Sequence, residues 1–350
     1  MHRAGQSLSS GVVRPHSSPA RRTISVIGAT VAVFVVSVVA HLIAVHGAIA
    51  AIIHAFAIDS TNVVFGRIAR FIILPIVALF SAVAVDFIEQ TIATSIEEGF
   101  ALPKVEKFNE LINQRTRGIL ICNPNNPTGY LYTRREMNQI RDLVKEHDLY
   151  LFSDEVYREY IYTGSPYISA MHLKGIEDNV ILIDSVSKRY SECGIRIGAL
   201  ITKNEEVKKA VMKFCQARLS PPLIGQIVAE ASLDAPEEYY RDVYDEYVER
   251  RKCLIDGLNR IPGVYSPIPM GAFYTVAQLP VDDADKFCKW CLEEFNYEGE
   301  TVMMAPAAGF YTTPGAGVDQ VRIAYVLKKD DLERALFILR KALEAYPGRK

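Results

Sequence analysis

Lys188 stands in Ser-Val-Ser-Lys-Arg-Tyr-Ser-Glu-Cys-Gly-Ile-Arg-Ile-Gly, residues 185–198, on a polar turn between two apolar, strand-like runs. A primary amine so placed can attach covalently to the carbonyl of a phosphorylated aldehyde cofactor. Neighbouring hydroxyls and a guanidinium can then hold the phosphate through charge-assisted hydrogen bonds. Ser185, Ser187 and Arg196 are the candidates for that task. Taken alone, Lys188 also reads as a solvated loop lysine, so the choice depends on what other stretches bring to the same place.

Three apolar runs end in polar residues. Gly118 to Cys122 leads into Asn-Pro-Asn-Asn-Pro-Thr-Gly, Leu149 to Ser153 into Asp154-Glu155-Val156-Tyr157, and Asn179 to Asp184 into Ser185. Such runs separated by helical patterns imply a mostly parallel sheet, whose ligand binds beyond the carboxyl ends of the strands. Asn126, Asp154, Tyr157, Ser185 and Lys188 would then converge on one edge. The chemistry they suit is that of an electron-withdrawing pyridine ring. A buried Asp154 would keep the ring nitrogen protonated, and Tyr157 and Asn126 would donate to a ring oxygen. Each has a plainer alternative: a helix cap for Asp154, a core aromatic for Tyr157, a turn residue for Asn126. Arg322 lies inside the apolar run Val321-Arg-Ile-Ala324. Its planar fork matches a carboxylate, the alternative being a surface ion pair on a strand.

The elements that must position these residues are legible in outline. Thr133 and Glu136 form a capping box for a helix with Met137, Ile140, Leu143 and Val144 on its apolar face. Residues 196–202 read as a further strand and 216–225 as a proline-rich connection. Pro236 opens a long helix to about Ile261, with Tyr240, Val243, Tyr247, Leu254 and Leu258 on one face. A small α+β unit follows. It comprises residues 271–274, a helix around Trp290, Ala305-Pro306, a strand at 320–326 and a last helix capped by Asp330 and Glu333. The expected fold is α/β, with a partial large domain over 96–235 and an interdomain helix plus small C-terminal domain over 236–350.

The 350 residues carry a net charge of -2, so there is no basic excess with which to neutralise nucleic acid. The six cysteines are scattered and read as reduced thiols. Cys288 and Cys291 form a Cys-x-x-Cys, but they share a helical face with Leu292 and Phe295, a core stripe rather than a metal or redox site. Residues 1–95 differ from the rest: lysine and tyrosine are absent there, and residues 23–58 contain no Asp, Glu, Lys or Arg. That run exceeds the roughly 20 apolar residues of a membrane span, and 71–85 is a weaker second run. Arg14, Arg21 and Arg22 favour a cytoplasmic amino terminus, so two crossings would leave the remainder in the cytoplasm. The expectation is a hydrophobic helical segment, either a membrane anchor or sequence of different origin from the body. A signal leader fits least, because the run is longer than a signal core.

Asn-Pro-Thr-Gly at 126–129, Ser-Asp-Glu-Val-Tyr at 153–157, Ser-Val-Ser-Lys at 185–188, Gly-Ile-Arg-Ile-Gly at 194–198 and Val-Arg-Ile-Ala at 321–324 together resemble the class I pyridoxal-phosphate aminotransferases, aspartate-type members above all. The resemblance implies pyridoxal 5'-phosphate as cofactor, an amino acid and a 2-oxo acid as substrates, and a homodimer. Lys188 would carry the cofactor and move the proton, and Asp154 would pair the ring nitrogen. Tyr157 and Asn126 would contact the ring oxygen, Ser185, Ser187 and Arg196 the phosphate, and Arg322, with Asn126, the substrate. It spans about 96–350, and residues 1–95 lack the family's amino-terminal parts. A catalytically impaired fragment, a membrane-anchored binding protein, or another reaction of the same cofactor such as β-elimination are the alternative readings.

Overall fold

The computed structural model describes residues 92–350 and the short strand β1, Arg22–Ile24. Apart from Thr23 and Ile24, which lie in β1, the apolar runs 23–58 and 71–85 fall outside the described residues. No helix among the described residues is long and apolar enough to cross a membrane.

A four-stranded sheet carries the candidate residues. Its strands are β2 (Gly118–Cys122), β3 (Tyr150–Asp154), β4 (Val180–Ser185) and β5 (Gly198–Thr202), adjacent in that order. β2, β3 and β4 run parallel, with Cys122 opposite Asp154 and Asp154 opposite Ile183. β5 is antiparallel to β4, with Ser185 opposite Gly198. The sheet is therefore mixed, because the short link from β4 to β5 holds a one-turn α-helix and one 3-10 turn, Cys193–Ile195, rather than a full helix. A parallel return needs a crossover of about a dozen residues or more, usually a full helix. β5 starts at Gly198, two residues later than the sequence pattern suggests, since Arg196 adopts a left-handed backbone with φ 59°.

Helix α1 (Val105–Leu111) precedes β2, and α2 (Arg134–Glu146) joins β2 to β3. In α2 the capping box is formed and Met137, Ile140, Leu143 and Val144 are buried, as the 3.6-residue period demands. Burial of each such side chain contributes about 1.5–3 kcal/mol. The one-turn helix α3 (Val186–Arg189) carries Lys188, and α4 (Glu205–Arg218) and α5 (Leu223–Ala231) follow β5. The expected connection over 216–225 is thus shorter, because its ends belong to α4 and α5.

The long helix α6 (Glu237–Leu258) ends three residues before Ile261. Tyr247 on α6 packs against Tyr160 and Phe273, tying the sheet's loops to the C-terminal part. There, β6 (Tyr274–Gln278), β9 (Gln320–Ala324) and β8 (Ala305–Pro306) form an antiparallel sheet with β9 in the middle. α7 (Ala284–Glu293) and α8 (Lys329–Ala345) pack on it, and β7 (Glu300–Val302) pairs in parallel with β1. Cys288, Cys291 and Phe295 are buried as expected, but Leu292 is exposed and Phe295 lies beyond the helix end. The start of α8 is not capped by Asp330 or Glu333. The cap residue is Lys328, whose side chain makes no capping bond, and Asp330 lies in the first turn, where a carboxylate interacts favourably with the helix dipole.

Candidate active site

Three strand ends and one distant strand meet. β3 ends in Asp154, whose Oδ1 accepts the Val156 N–H at 3.2 Å in a turn, so no helix is capped there. That turn brings Tyr157 inward. Its ring is 3% exposed and packs edge-on against Phe273 and Tyr274, so it is a core aromatic as well as a site residue. The loop after β2 presents Asn126. Gly129, with φ 71°, lets this loop press against the backbone of the C-terminal part, for a Cβ there would lie 2.7 Å from the Tyr274 carbonyl. Gly129 O accepts the N–H groups of Met270 and Gly271 at 2.8 and 2.9 Å.

The polar atoms form a chain. Arg322 Nη1 donates to Asn126 Oδ1 at 3.1 Å, Asn126 Nδ2 to Tyr157 Oη at 3.4 Å, and Tyr157 Oη to Tyr274 Oη at 3.4 Å. Arg322 is 5% exposed and has no carboxylate partner among the described residues, so it is not a surface ion pair. Its guanidinium lies 5.0 Å from the ring centres of both Tyr274 and Phe310, and its Nε is buried without an acceptor among the described residues. A buried guanidinium with an unused donor is costly unless an anion completes it.

Lys188 Nζ lies 5.7 Å from the Tyr157 ring centre and 5.8 Å from that of Phe273, and donates no hydrogen bond among the described residues. Desolvation holds its proton affinity below that of an ordinary lysine; nearby Arg196 and Arg322 act in the same direction. Burial likewise pushes the Asp154 carboxyl up to about 6, with the Asp184 charge adding to the rise. The Tyr157 phenol is raised by burial and by its contact with Tyr274, so it stays protonated and able to donate.

At the opposite end the groups are looser. Ser185 Oγ donates to Ile197 O at 2.9 Å and lies 2.8 Å from Ser187 Oγ, capping α3 through the Ser187 N–H. Arg196 is exposed and donates to Cys193 O at 2.8 Å, with no contact to either serine. The structure thus brings Asn126, Tyr157 and Arg322 into one hydrogen-bonded chain with Lys188 beside it, and leaves Ser185, Ser187 and Arg196 as a separate, open group.

Sequence reasoning missed Phe273, Tyr274 and Phe310. The Gly-Ala-Phe-Tyr run offered only the pattern of a buried strand start. Glu155 was also missed: its Oε1 accepts from Ser153, Ser169 and the Ala170 N–H, anchoring the loop beyond Tyr157. No cluster of His, Cys, Asp or Glu among the described residues could hold a metal.

These groups fit a pyridoxal phosphate. Among the described residues, Lys188 Nζ and Arg322 Nε lack hydrogen-bond partners, and a carbonyl and a carboxylate would suit them, as a ring nitrogen would suit Asp154 and a ring oxygen Tyr157 and Asn126.

Comparison with known proteins places the chain in a family. The family model for aminotransferase class I and II matches residues 90–339. Aspartate aminotransferase of Bacillus subtilis is 28% identical over 72% of this chain and 63% of its own length. That of Pyrococcus horikoshii is 31% identical over 71% and 62%. Among solved structures, aspartate aminotransferase from Thermus thermophilus with maleate superposes with a TM-score of 0.63 at 27% identity, covering 72% of this chain and 63% of that one. Aromatic aminotransferase from Pyrococcus horikoshii gives 0.64 at 28%, covering 72% and 66%. The chain spans less than two thirds of the length of the curated relatives it matches. With the family model covering well over half of its residues, the chain belongs to the class I and II aminotransferases.

Proposed function

We propose that this chain uses pyridoxal 5'-phosphate, the cofactor of its family, to move an amino group between an amino acid and a 2-oxo acid, with aspartate as the first donor to test. The observation that carries the reading is the Lys188 amine, desolvated and without a hydrogen bond among the described residues, beside the chain that runs from Arg322 through Asn126 to Tyr157. The cofactor supplies an electron sink for negative charge at the substrate Cα.

The protein's own groups do the rest. Arg322, with the ring centres of Tyr274 and Phe310 each 5.0 Å from its guanidinium, binds the α-carboxylate. Asn126 steadies that guanidinium through Oδ1, while its Nδ2 and the protonated Tyr157 Oη serve as donors to the ring oxygen. Asp154 holds a proton at the ring nitrogen. Lys188 Nζ, with its proton affinity lowered by burial, is suited to take a proton from Cα. Ser185, Ser187 and Arg196 would hold the phosphate, Arg196 exchanging its bond to the Cys193 carbonyl for one to the anion. The names of the relatives support aspartate and, secondarily, aromatic donors. A homodimer would cover Leu219, Leu223, Ile224 and Ile227, which are exposed on and before α5.

The test is the half-reaction. Purified chain loaded with cofactor is mixed with aspartate and no acceptor. One oxo acid should form per bound cofactor, and the released cofactor should be its amine form. An unchanged cofactor with aspartate and aromatic donors alike would favour a catalytically impaired or binding role, and free ammonia would favour elimination.

A further inference from the structure

Asp184, at the end of β4, is used by neither the chain of polar atoms nor the phosphate group, yet it touches both sides of the site. Its Oδ1 accepts the N–H of Ser185, the residue that caps α3, at 2.8 Å. Its Oδ2 accepts from Arg158 Nη2 at 2.6 Å and from Arg189 Nη2 at 3.2 Å. Arg158 follows Tyr157 directly and Arg189 follows Lys188 directly. Glu159 Oε1 lies 3.0 Å from Arg189 Nε and 3.7 Å from Arg158 Nε.

The ion pairs along the helices differ in kind. Lys208–Glu205 and Arg241–Glu238 join neighbours within one helix and stand in water, where such pairs contribute little. Asp184, Arg158 and Arg189 are 15%, 25% and 20% exposed; Arg158 reaches Asp184 from 26 residues away, and Arg189 reaches it from the other end of α3. α3 needs such ties, because one isolated helical turn is not stable in water. A further tie comes from Tyr160 Oη, which donates to Lys188 O at 2.7 Å.

We propose that Asp184 is a positioning residue. Through Arg158 and Arg189 it locks the Tyr157 turn to the one-turn helix of Lys188, so that the amine and the phenol keep a fixed relation at the sheet edge. The catalytic meaning of that lock rests on the functional reading above, whereas the lock itself can be tested on the unloaded chain.

Trace acetic anhydride labelling across pH, read by peptide mass, titrates each lysine of the unloaded protein. Lys188 should titrate below exposed lysines such as Lys289. In Asp184→Asn its midpoint should rise towards theirs, because a freed α3 exposes the amine to water. Charge alone acts the other way: deleting a carboxylate lowers the proton affinity of a nearby amine. Cys193, Arg196, Asp154 and Arg322, the groups facing Lys188, are unchanged in the variant. Arg158→Met should give the same rise by cutting only the Tyr157 side, and serves if Asp184→Asn fails to fold. Arg158→Lys should restore part of it. In cofactor-loaded protein, visible circular dichroism per bound cofactor should fall several-fold in both variants, with the far-ultraviolet signal kept. Folded variants whose Lys188 midpoint stays put or drops would overturn the proposal. Failure of the wild-type chain to take up cofactor would instead remove the functional reading and leave the labelling to decide.

Discussion

The two ends of the candidate site are built differently. At the carboxylate and ring end, Asp154, Tyr157 and Arg322 are 8%, 3% and 5% exposed, and aromatic rings and an asparagine hold them in place. At the phosphate end, Arg196 is exposed and rests on a backbone carbonyl, and most residues of β5 stand open. The first end is gathered where β6 and β9 bring Tyr274 and Arg322 against Asn126 and Tyr157. Among the described residues, Ser185, Ser187 and Arg196 are the candidates at the second. Preorganised groups in a dry site act strongly and need little rearrangement, whereas open, mobile ones must be ordered by the ligand. Substrate recognition should therefore be more sensitive to single changes than phosphate binding.

Arg322→Ala should show the largest effect. Removing a buried, hydrogen-bonded guanidinium from a carboxylate costs about 2–5 kcal/mol, so kcat/KM for an amino acid should fall by about 30-fold to several thousand-fold. A loss under about tenfold would mean that the carboxylate binds elsewhere.

Asp154 comes next, through pH. Its carboxyl is raised by burial from an ordinary 3.8 to about 6. The folded chain thus keeps a proton that the unfolded chain releases. The contribution is present below the unfolded value and is lost as pH rises from near 3.8 through about 6. It amounts to about 2–3 kcal/mol, at about 1.4 kcal/mol for each tenfold change in proton affinity. Urea unfolding of the unloaded chain over this range should show the decline, and Asp154→Asn should flatten it. An identical slope in the variant would assign the decline to other carboxyls.

Tyr157→Phe removes the hydroxyl that links Asn126 to Tyr274 but keeps the packed ring. Stability should fall by about 1 kcal/mol, the usual net worth of a hydrogen bond, as read from the urea midpoint at unchanged slope. Arg196→Ala is expected to be the smallest change in stability, within about 0.5 kcal/mol for an exposed side chain. Its effect should appear instead as weaker binding of pyridoxal phosphate with little change for unphosphorylated pyridoxal. A large stability loss would show that the open end is more ordered than its contacts imply.

How much of this was legible beforehand follows from the range of the interactions. The capping box at Thr133 and Glu136 and the buried face of α2 were readable because they depend on residues three and four apart. The convergence of Asp154, Lys188 and Asn126 was readable because strand ends of a parallel sheet share an edge. The antiparallel turn of β5 was not, since strand periodicity carries no direction. Nor were Tyr274, on a buried strand, and Phe310, in an exposed 3-10 turn: nothing local marks either aromatic as the neighbour of an arginine. Arg158, Asp184 and Arg189 read as ordinary charges beside motif residues, and only tertiary structure shows them sharing one carboxylate.

The most direct measurement of the central claim is covalent trapping. Purified chain is incubated with pyridoxal phosphate, reduced with borohydride, digested and mapped by mass spectrometry, alongside Lys188→Ala. The expected result is one pyridoxyl phosphate group on the peptide containing Lys188, absent from the variant. Label spread over surface lysines, or equal in both proteins, would contradict the account.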